Sequence, residues 1–165
     1  LMETLDDRFT LDLIYLMPES SSKKTNEYFE IFKKRAGKTG RIRILPALKS
    51  NEIVINLHQH YDMGIILVPP VNFNYENGLP NKLFDCIQAR LAMAVGPLKE
   101  IAHIINQYGI GVVSEDFTAL SMSKALSKIT LEDITIFKKN AHHAATKMNA
   151  EYNKKLFIDG LSKLA

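Results

Sequence analysis

Short apolar runs that stop at proline or glycine alternate along this chain with amphipathic stretches, and that alternation narrows its possible folds more than anything else. Leu11-Asp12-Leu13-Ile14-Tyr15-Leu16-Met17 reads as a strand stopped by Pro18, and Arg41-Ile42-Arg43-Ile44-Leu45 as a strand closed by Pro46. Gly64-Ile65-Ile66-Leu67-Val68, closed by Pro69-Pro70, reads as a buried strand; residues 92–95 and Gly111-Val112-Val113 are shorter ones. Between them lie helical patterns. One is capped by Ser20-Ser21-Ser22, carries Tyr28, Phe29, Ile31 and Phe32 on its apolar face, and ends at Gly37 and Gly40. Others run from Ser50-Asn51-Glu52 to His60, from Pro80, and from Leu98. The tail is helical over 117–128 and from Leu131 towards Leu164, with Asp159-Gly160 as the expected interruption. Strands alternating with helices predict an α/β fold with a doubly wound parallel sheet and a helical C-terminal tail.

Size and charge agree with that architecture. A chain of 165 residues supports one substantial core, so residues 1–165 are expected to form a single domain. A net charge of +3 does not announce a nucleic-acid binder. One cysteine, Cys86, excludes an internal disulfide framework and fits a reducing, cytoplasmic compartment. No apolar run approaches membrane-spanning length, and Leu1-Met2-Glu3-Thr4-Leu5 begins in mid-pattern, as in a piece of a longer protein.

The run Glu76-Asn77-Gly78-Leu79-Pro80-Asn81-Lys82-Leu83-Phe84-Asp85 carries the most chemistry. Residues 72–78 read as a polar loop at the carboxyl end of a strand, where open α/β sheets bind ligands. Pro80 suits a first helical turn, whose free N–H groups favour an anion. Asp85 falls about one turn into that helix, within reach of a ligand over its mouth. Together these features predict a nucleotide site.

The same residues resemble a known family. Leu79-Pro80-Asn81-Lys82-Leu83-Phe84-Asp85, followed by Ala89-Arg90-Leu91-Ala92-Met93-Ala94-Val95, is similar to the donor-binding half of family 4 glycosyltransferases, which have the GT-B fold. Glu100-Ile101-Ala102-His103-Ile104-Ile105 and Tyr108-Gly109-Ile110-Gly111-Val112-Val113 resemble that family's next helix and strand, so the likeness runs from about Leu11 onward. It implies a Rossmann-like C-terminal half that binds a nucleoside-diphosphate sugar for retaining transfer, without a metal or other cofactor. The acceptor, a glycan or lipid-linked molecule, would be held by an N-terminal domain outside this chain. The half's first strand and helix, whose arginine and lysine grip the diphosphate in the family, would also precede Leu1. Bacterial surface polysaccharides such as capsule or lipopolysaccharide are frequent products, made at the inner face of the cytoplasmic membrane with, at most, peripheral membrane contact.

Residue by residue, the resemblance implies that Asp85 contacts the ribose hydroxyls, an apt role because a carboxylate accepts two hydrogen bonds from a vicinal diol. Asn77 falls where the family has a glutamate facing the donor sugar, a departure that removes a charge from the catalytic position; Glu76 is one residue out of register. Gly78 and Leu79 would offer backbone N–H groups to the diphosphate, with Asn81 in the same turn and Lys82 as a phosphate partner. Pro46-Ala47-Leu48 corresponds to a loop lining the base pocket, placing Pro46 and Leu48 among the donor contacts.

Plainer readings stand beside these. Asp85 and Lys82 also suit a solvated helix, and Asn77-Gly78 a simple turn. A GT-B-like nucleotide-binding or interaction module without transfer activity is the alternative reading. Gly37-Lys38-Thr39 ends like a phosphate loop, but Phe32 stands where that motif needs glycine. His58 and His60, like His142-His143, lack the spacing of helical metal ligands and read as surface residues. Cys86 reads as a small core residue. Lys33, Lys34, Arg35, Lys38, Arg41 and Arg43 read as a solvated basic face, with contact to anionic lipid as the other option.

Overall fold

The computed structural model describes residues 1–15 and 22–162; Leu16 and Met17 of the first expected strand, Pro18, Ser20 and Ser21 lie outside them. The chain divides into two compact units, Leu1–Asn51 and Glu52–Ala165. Among the described residues every strand pairing is parallel, as the alternation predicts, and helices flank the strands to give a Rossmann-like α/β fold. The hydrogen bonds form one two-stranded sheet and one three-stranded sheet.

The first unit holds β1 (Leu11–Tyr15), α1 (Lys23–Gly37) and β2 (Ile42–Pro46). Leu11 pairs with Ile42, and the register runs to Tyr15 opposite Pro46, so the proline sits at the strand's last position. Ser22 caps α1 by accepting from the Thr25 N–H at 3.1 Å. The expected apolar face of α1 is not buried: Tyr28 is 76% exposed, Ile31 65% and Phe32 37%, while only Ala36 is fully enclosed. Phe29 stacks on Tyr15 with ring centroids 4.6 Å apart.

The basic cluster is largely consumed within this unit. Arg35 pairs with Glu3 at 2.7 Å, Arg43 with Asp12 at 2.6 Å, and Lys33 with Glu30 at 2.5 Å. Arg41 donates to the carbonyls of Met2, Leu5, Asp6 and Phe9, so its guanidinium fastens the N-terminal turns to the start of β2. Lys33, Lys34, Arg35, Lys38 and Arg43 are exposed, as a solvated face requires, and Arg41 alone is drawn into the fold.

The second unit begins with α2 (Ile53–His60) and β3 (Met63–Ile66), then α3 (Phe73–Asn77) and α4 (Asn81–Gln88). β4 (Ala92–Val95), α5 (Lys99–Tyr108) and β5 (Gly111–Val113) complete its sheet, in the order β3-β4-β5. The tail forms α6 (Ala119–Ser127), α7 (Leu131–Lys147) and α8 (Ala150–Leu161). All four residues of β4 are buried, as expected of a central parallel strand covered on both faces. Leu83 and Ile87 of α4, Ile101 and Ile105 of α5, and Ala141, Ala144 and Ala145 of α7 join one core around it.

Two expectations are corrected here. Residues 73–77 form α3 rather than loop, because the Asn72 side chain accepts from the Tyr75 N–H at 2.9 Å and caps a turn too short to show periodicity. The tail breaks at Asn149, not at Asp159-Gly160, and Gly160 lies inside α8. Asn149 serves both sides of that break. Its amide donates to the Ala145 and Thr146 carbonyls, and its oxygen accepts from the Tyr152 N–H at 2.8 Å.

The C-terminus of α4 is closed by Arg90, a non-glycine residue with φ +64°. The Arg90 N–H bonds the Ile87 carbonyl and the Leu91 N–H the Cys86 carbonyl, the pairing of a Schellman cap. The Arg90 guanidinium adds a 2.6 Å bond to the Gln88 carbonyl. These bonds offset the strain that a side chain incurs in the left-handed region.

Gly64 sets how closely α4 lies on β3. A Cβ there would stand 2.5 Å from Cys86 Sγ and 3.2 Å from Met93 Sδ. Gly64→Ala should therefore cost about 1–3 kcal/mol through overpacking. Combined with Cys86→Ala, which removes the sulfur, it should cost less than the sum of the single changes. Urea midpoints of the four proteins in this cycle measure the difference; strict additivity would show that the contact does not control the packing.

Candidate functional site

β3 and β4 are parallel neighbours, so the segments leaving them, residues 67–80 and 96–98, emerge on the same edge of the sheet. At that edge lies a cavity of about 230 Å³. Its apolar wall comes from Ile66 and Val68 at the end of β3 and from Leu98 and Ile101 at the start of α5. Gly78, Leu79 and Pro80 form another wall, and Asn74, Tyr75 and Lys82 supply the polar side chains. The side chains of Asn74, Tyr75 and Lys82 make no hydrogen bond or ion pair among the described residues.

The mouth of α4 opens onto this cavity. Pro80 is its N-cap, with no side-chain hydrogen bond to the first turn, whereas Ser22, Asn72, Thr118, Thr130 and Asn149 cap α1, α3, α6, α7 and α8. The N–H groups of Leu79, Asn81 and Lys82 have no acceptor among the described residues. Unpaired N–H groups and the positive end of the helix dipole together favour an anion. Gly78 differs, because its N–H donates to the Asn74 carbonyl at 2.8 Å and closes α3.

The residues expected at a donor site fall into three groups. Gly78, Leu79 and Lys82 line the cavity, and Asn81 stands at the helix mouth beside it. Asn77 is exposed at the end of α3 and does not line the cavity; its amide donates to the Phe73 carbonyl at 3.1 Å. Asp85 is half-buried on α4, also outside the lining, and its carboxylate has no hydrogen bond or ion pair among the described residues. Pro46 ends β2 and Leu48 follows it, both in the first unit. Sequence reasoning missed Asn74, Tyr75, Leu98 and Ile101. Asn72, a cap residue three positions before Tyr75, was the available signal that this segment is ordered.

The fold has a solved counterpart. A crystal structure of WaaG, a glycosyltransferase involved in lipopolysaccharide biosynthesis, matches with a TM-score of 0.60 at 17% sequence identity. The match covers 92% of this chain and 38% of that one. The chain therefore shares its Rossmann-like α/β fold with part of that glycosyltransferase. At this identity the likeness concerns the fold alone, and the chain spans well under half of the WaaG chain. No protein-family model matches the sequence, and no curated protein matches it.

Histidine and cysteine chemistry contributes nothing recognisable to the cavity. No group of three or more potential metal ligands occurs among the described residues. His58 is exposed, and its Nδ1 lies 3.0 Å from the Ala89 carbonyl. Cys86 is buried on the face of α4 that meets Gly64 of β3, as its sequence context predicts. Burial pushes its thiol up to about 11, with the neighbouring Asp85 charge acting in the same direction. Since the thiolate is the reactive form, Cys86 in the folded chain should resist a disulfide reagent such as DTNB at pH 8 and react promptly in denaturant. Equal rates in the two states would show that packing of α4 on β3 does not shield the sulfur.

Proposed function

We propose that this chain is the donor-binding half of a retaining glycosyltransferase that uses a nucleoside-diphosphate sugar. The observation that carries the reading is the uncapped N-terminus of α4 beside a cavity at the carboxyl end of β3. In this reading the diphosphate rests against the N–H groups of Leu79, Asn81 and Lys82, with the Lys82 ammonium as a point charge. Gly78 shapes the turn that brings Leu79 to the phosphates, its own N–H being committed to α3. Asp85, a half-buried acid without a protein partner among the described residues, accepts from the ribose hydroxyls.

The reaction would break the bond between the anomeric carbon and the diphosphate oxygen as an acceptor hydroxyl forms the new glycosidic bond, the hydroxyl proton leaving with the diphosphate. The N–H groups at α4 would stabilise negative charge on the departing diphosphate, the use for which such fixed donors are most effective. The acceptor, a glycan or lipid-linked molecule of a bacterial surface polysaccharide such as capsule or lipopolysaccharide, would be presented by another domain. WaaG's role in lipopolysaccharide biosynthesis supports that choice of product class. No helix among the described residues is long and apolar enough to cross a membrane. The proposed reaction belongs at the inner face of the cytoplasmic membrane, with at most peripheral contact by this half.

One observation favours a second reading. Asn77, at the position proposed to face the sugar, carries no charge and spends its amide on the Phe73 carbonyl. A nucleotide-binding module without transfer activity is consistent with that.

The isolated 165-residue chain should show no transfer, and it should bind nucleoside diphosphate weakly, with Kd around millimolar, about 4 kcal/mol. Asp85→Asn should weaken that binding about 10- to 100-fold, since a hydrogen bond to a charged group contributes about 1.5–3 kcal/mol. Lys82→Ala should cost less, because the helix N–H groups remain. NMR titration of both variants with UDP, GDP, CDP and ADP checks the ranking, with thermal melts as a folding control. Parent-like binding by a folded Asp85→Asn protein would remove Asp85 from the site, and a parent that binds none of the four would remove the nucleotide reading.

A further inference from the structure

We infer that the cavity between β3, α3 and α5 is a sugar-reading pocket for an N-acetylated amino sugar, with Asn74 and Tyr75 as its specificity-determining residues. The inference rests on the donor-binding reading only in calling this sugar part of a donor. The pocket's size and lining do not depend on the nucleotide.

Size comes first. A volume of about 230 Å³ lies below the roughly 300 Å³ at which pockets for drug-sized ligands begin, so it takes one substituted sugar ring and not a whole sugar nucleotide. Its walls then select among rings. Ile66, Leu98 and Ile101 are buried aliphatic side chains with nothing to offer a hydroxyl. A hydroxyl pressed against them would lose its water without replacement, which is costly. A methyl group in the same place is favoured.

The polar equipment is equally selective. Among side chains it consists of the Asn74 amide, the Tyr75 hydroxyl and the Lys82 ammonium, none of which has a protein partner among the described residues. An acetamido substituent joins an amide, which a carboxamide such as Asn74 complements by donating to its carbonyl and accepting from its N–H. It also carries a methyl group that suits the aliphatic wall. The Tyr75 ring, half-exposed, offers an apolar face to the sugar ring while its hydroxyl stays free for a ring oxygen or hydroxyl. Asn77 is outside this lining and already bonded to Phe73, so sugar recognition passes to its neighbours three and two positions earlier.

Saturation-transfer NMR on the 165-residue chain tests the pocket without knowledge of the base. The probes are the methyl α- and β-glycosides of N-acetylglucosamine and N-acetylgalactosamine, compared with those of glucose and galactose. At least one acetamido sugar should bind in preference to its hydroxyl counterpart, with the acetamido methyl receiving the strongest saturation. Asn74→Ala, an exposed change whose folding a thermal melt verifies, should weaken that probe about two- to tenfold, the range of one neutral hydrogen bond. Tyr75→Ala should weaken it, and Tyr75→Phe should restore part of the loss. Equal or absent binding of acetamido and hydroxyl sugars would overturn the inference, as would unchanged affinity in folded Asn74→Ala and Tyr75→Ala proteins. A parallel titration with UDP, GDP, CDP and ADP separates the two failures. Nucleotide binding without acetamido preference sinks only this inference, whereas acetamido preference without nucleotide binding sinks only the donor reading.

Discussion

Burial of β4 on both faces is the constraint on which the second unit depends. Ala92, Met93, Ala94 and Val95 have almost no contact with solvent, so their backbone groups must be paired on both sides. β3 and β5 supply those pairs, and α4, α5 and α7 supply the apolar cover. Small residues make the cover close. Ala141, Ala144 and Ala145 bring α7 against α4 and β4, and Gly64 admits Cys86 to the face of β3. Gly111 is tighter still, since a side chain there would enter the Met93 backbone.

That packing creates the candidate site as a by-product of its geometry. Parallel strands deliver their carboxyl ends to one edge, and the helices that follow begin there with unsatisfied N–H groups. In most helices of this chain a Ser, Thr or Asn side chain consumes such a group. At α4 the N-cap is Pro80, which has no hydrogen-bonding side chain, and at α5 it is Leu98. The cavity between those two starts is consequently apolar in its walls and rich in donors at one rim. This arrangement suits a ligand with an anionic part and a compact, partly apolar one.

The first unit follows a different economy. Among the described residues its sheet has two strands, and its buried hydrophobic side chains are Met2, Leu5 and Ala36. Directed interactions carry more of the organisation, above all the Arg41 guanidinium on the carbonyls of Met2, Leu5, Asp6 and Phe9. Tyr28 and Ile31 of α1 remain largely open to solvent, although their spacing alone reads as a core face. Periodicity reports that a face is apolar and is silent about whether anything covers it.

The sequence by itself determined the element types and most of their positions, because those follow from local chemistry. Residues 92–95 and 111–113 are strands as read, and Cys86 is buried. It also drew attention to Gly78, Leu79 and Lys82, which line the cavity, since proline at a helix start after a strand and a polar turn is a local signal. Tertiary structure alone decided what those neighbours enclose. Leu98 and Ile101 reach the cavity from a helix that follows the next strand, and no local pattern announces a meeting across the sheet. α3 needed the Asn72 cap to be recognised, and Asn149 proved to be the break in the tail only once its amide was seen serving both helices. Asn77 and Asn74 differ by less than one helical turn, yet only Asn74 faces the cavity. Residue type and spacing specify which groups are available, but direction comes from the packing that orients each helix.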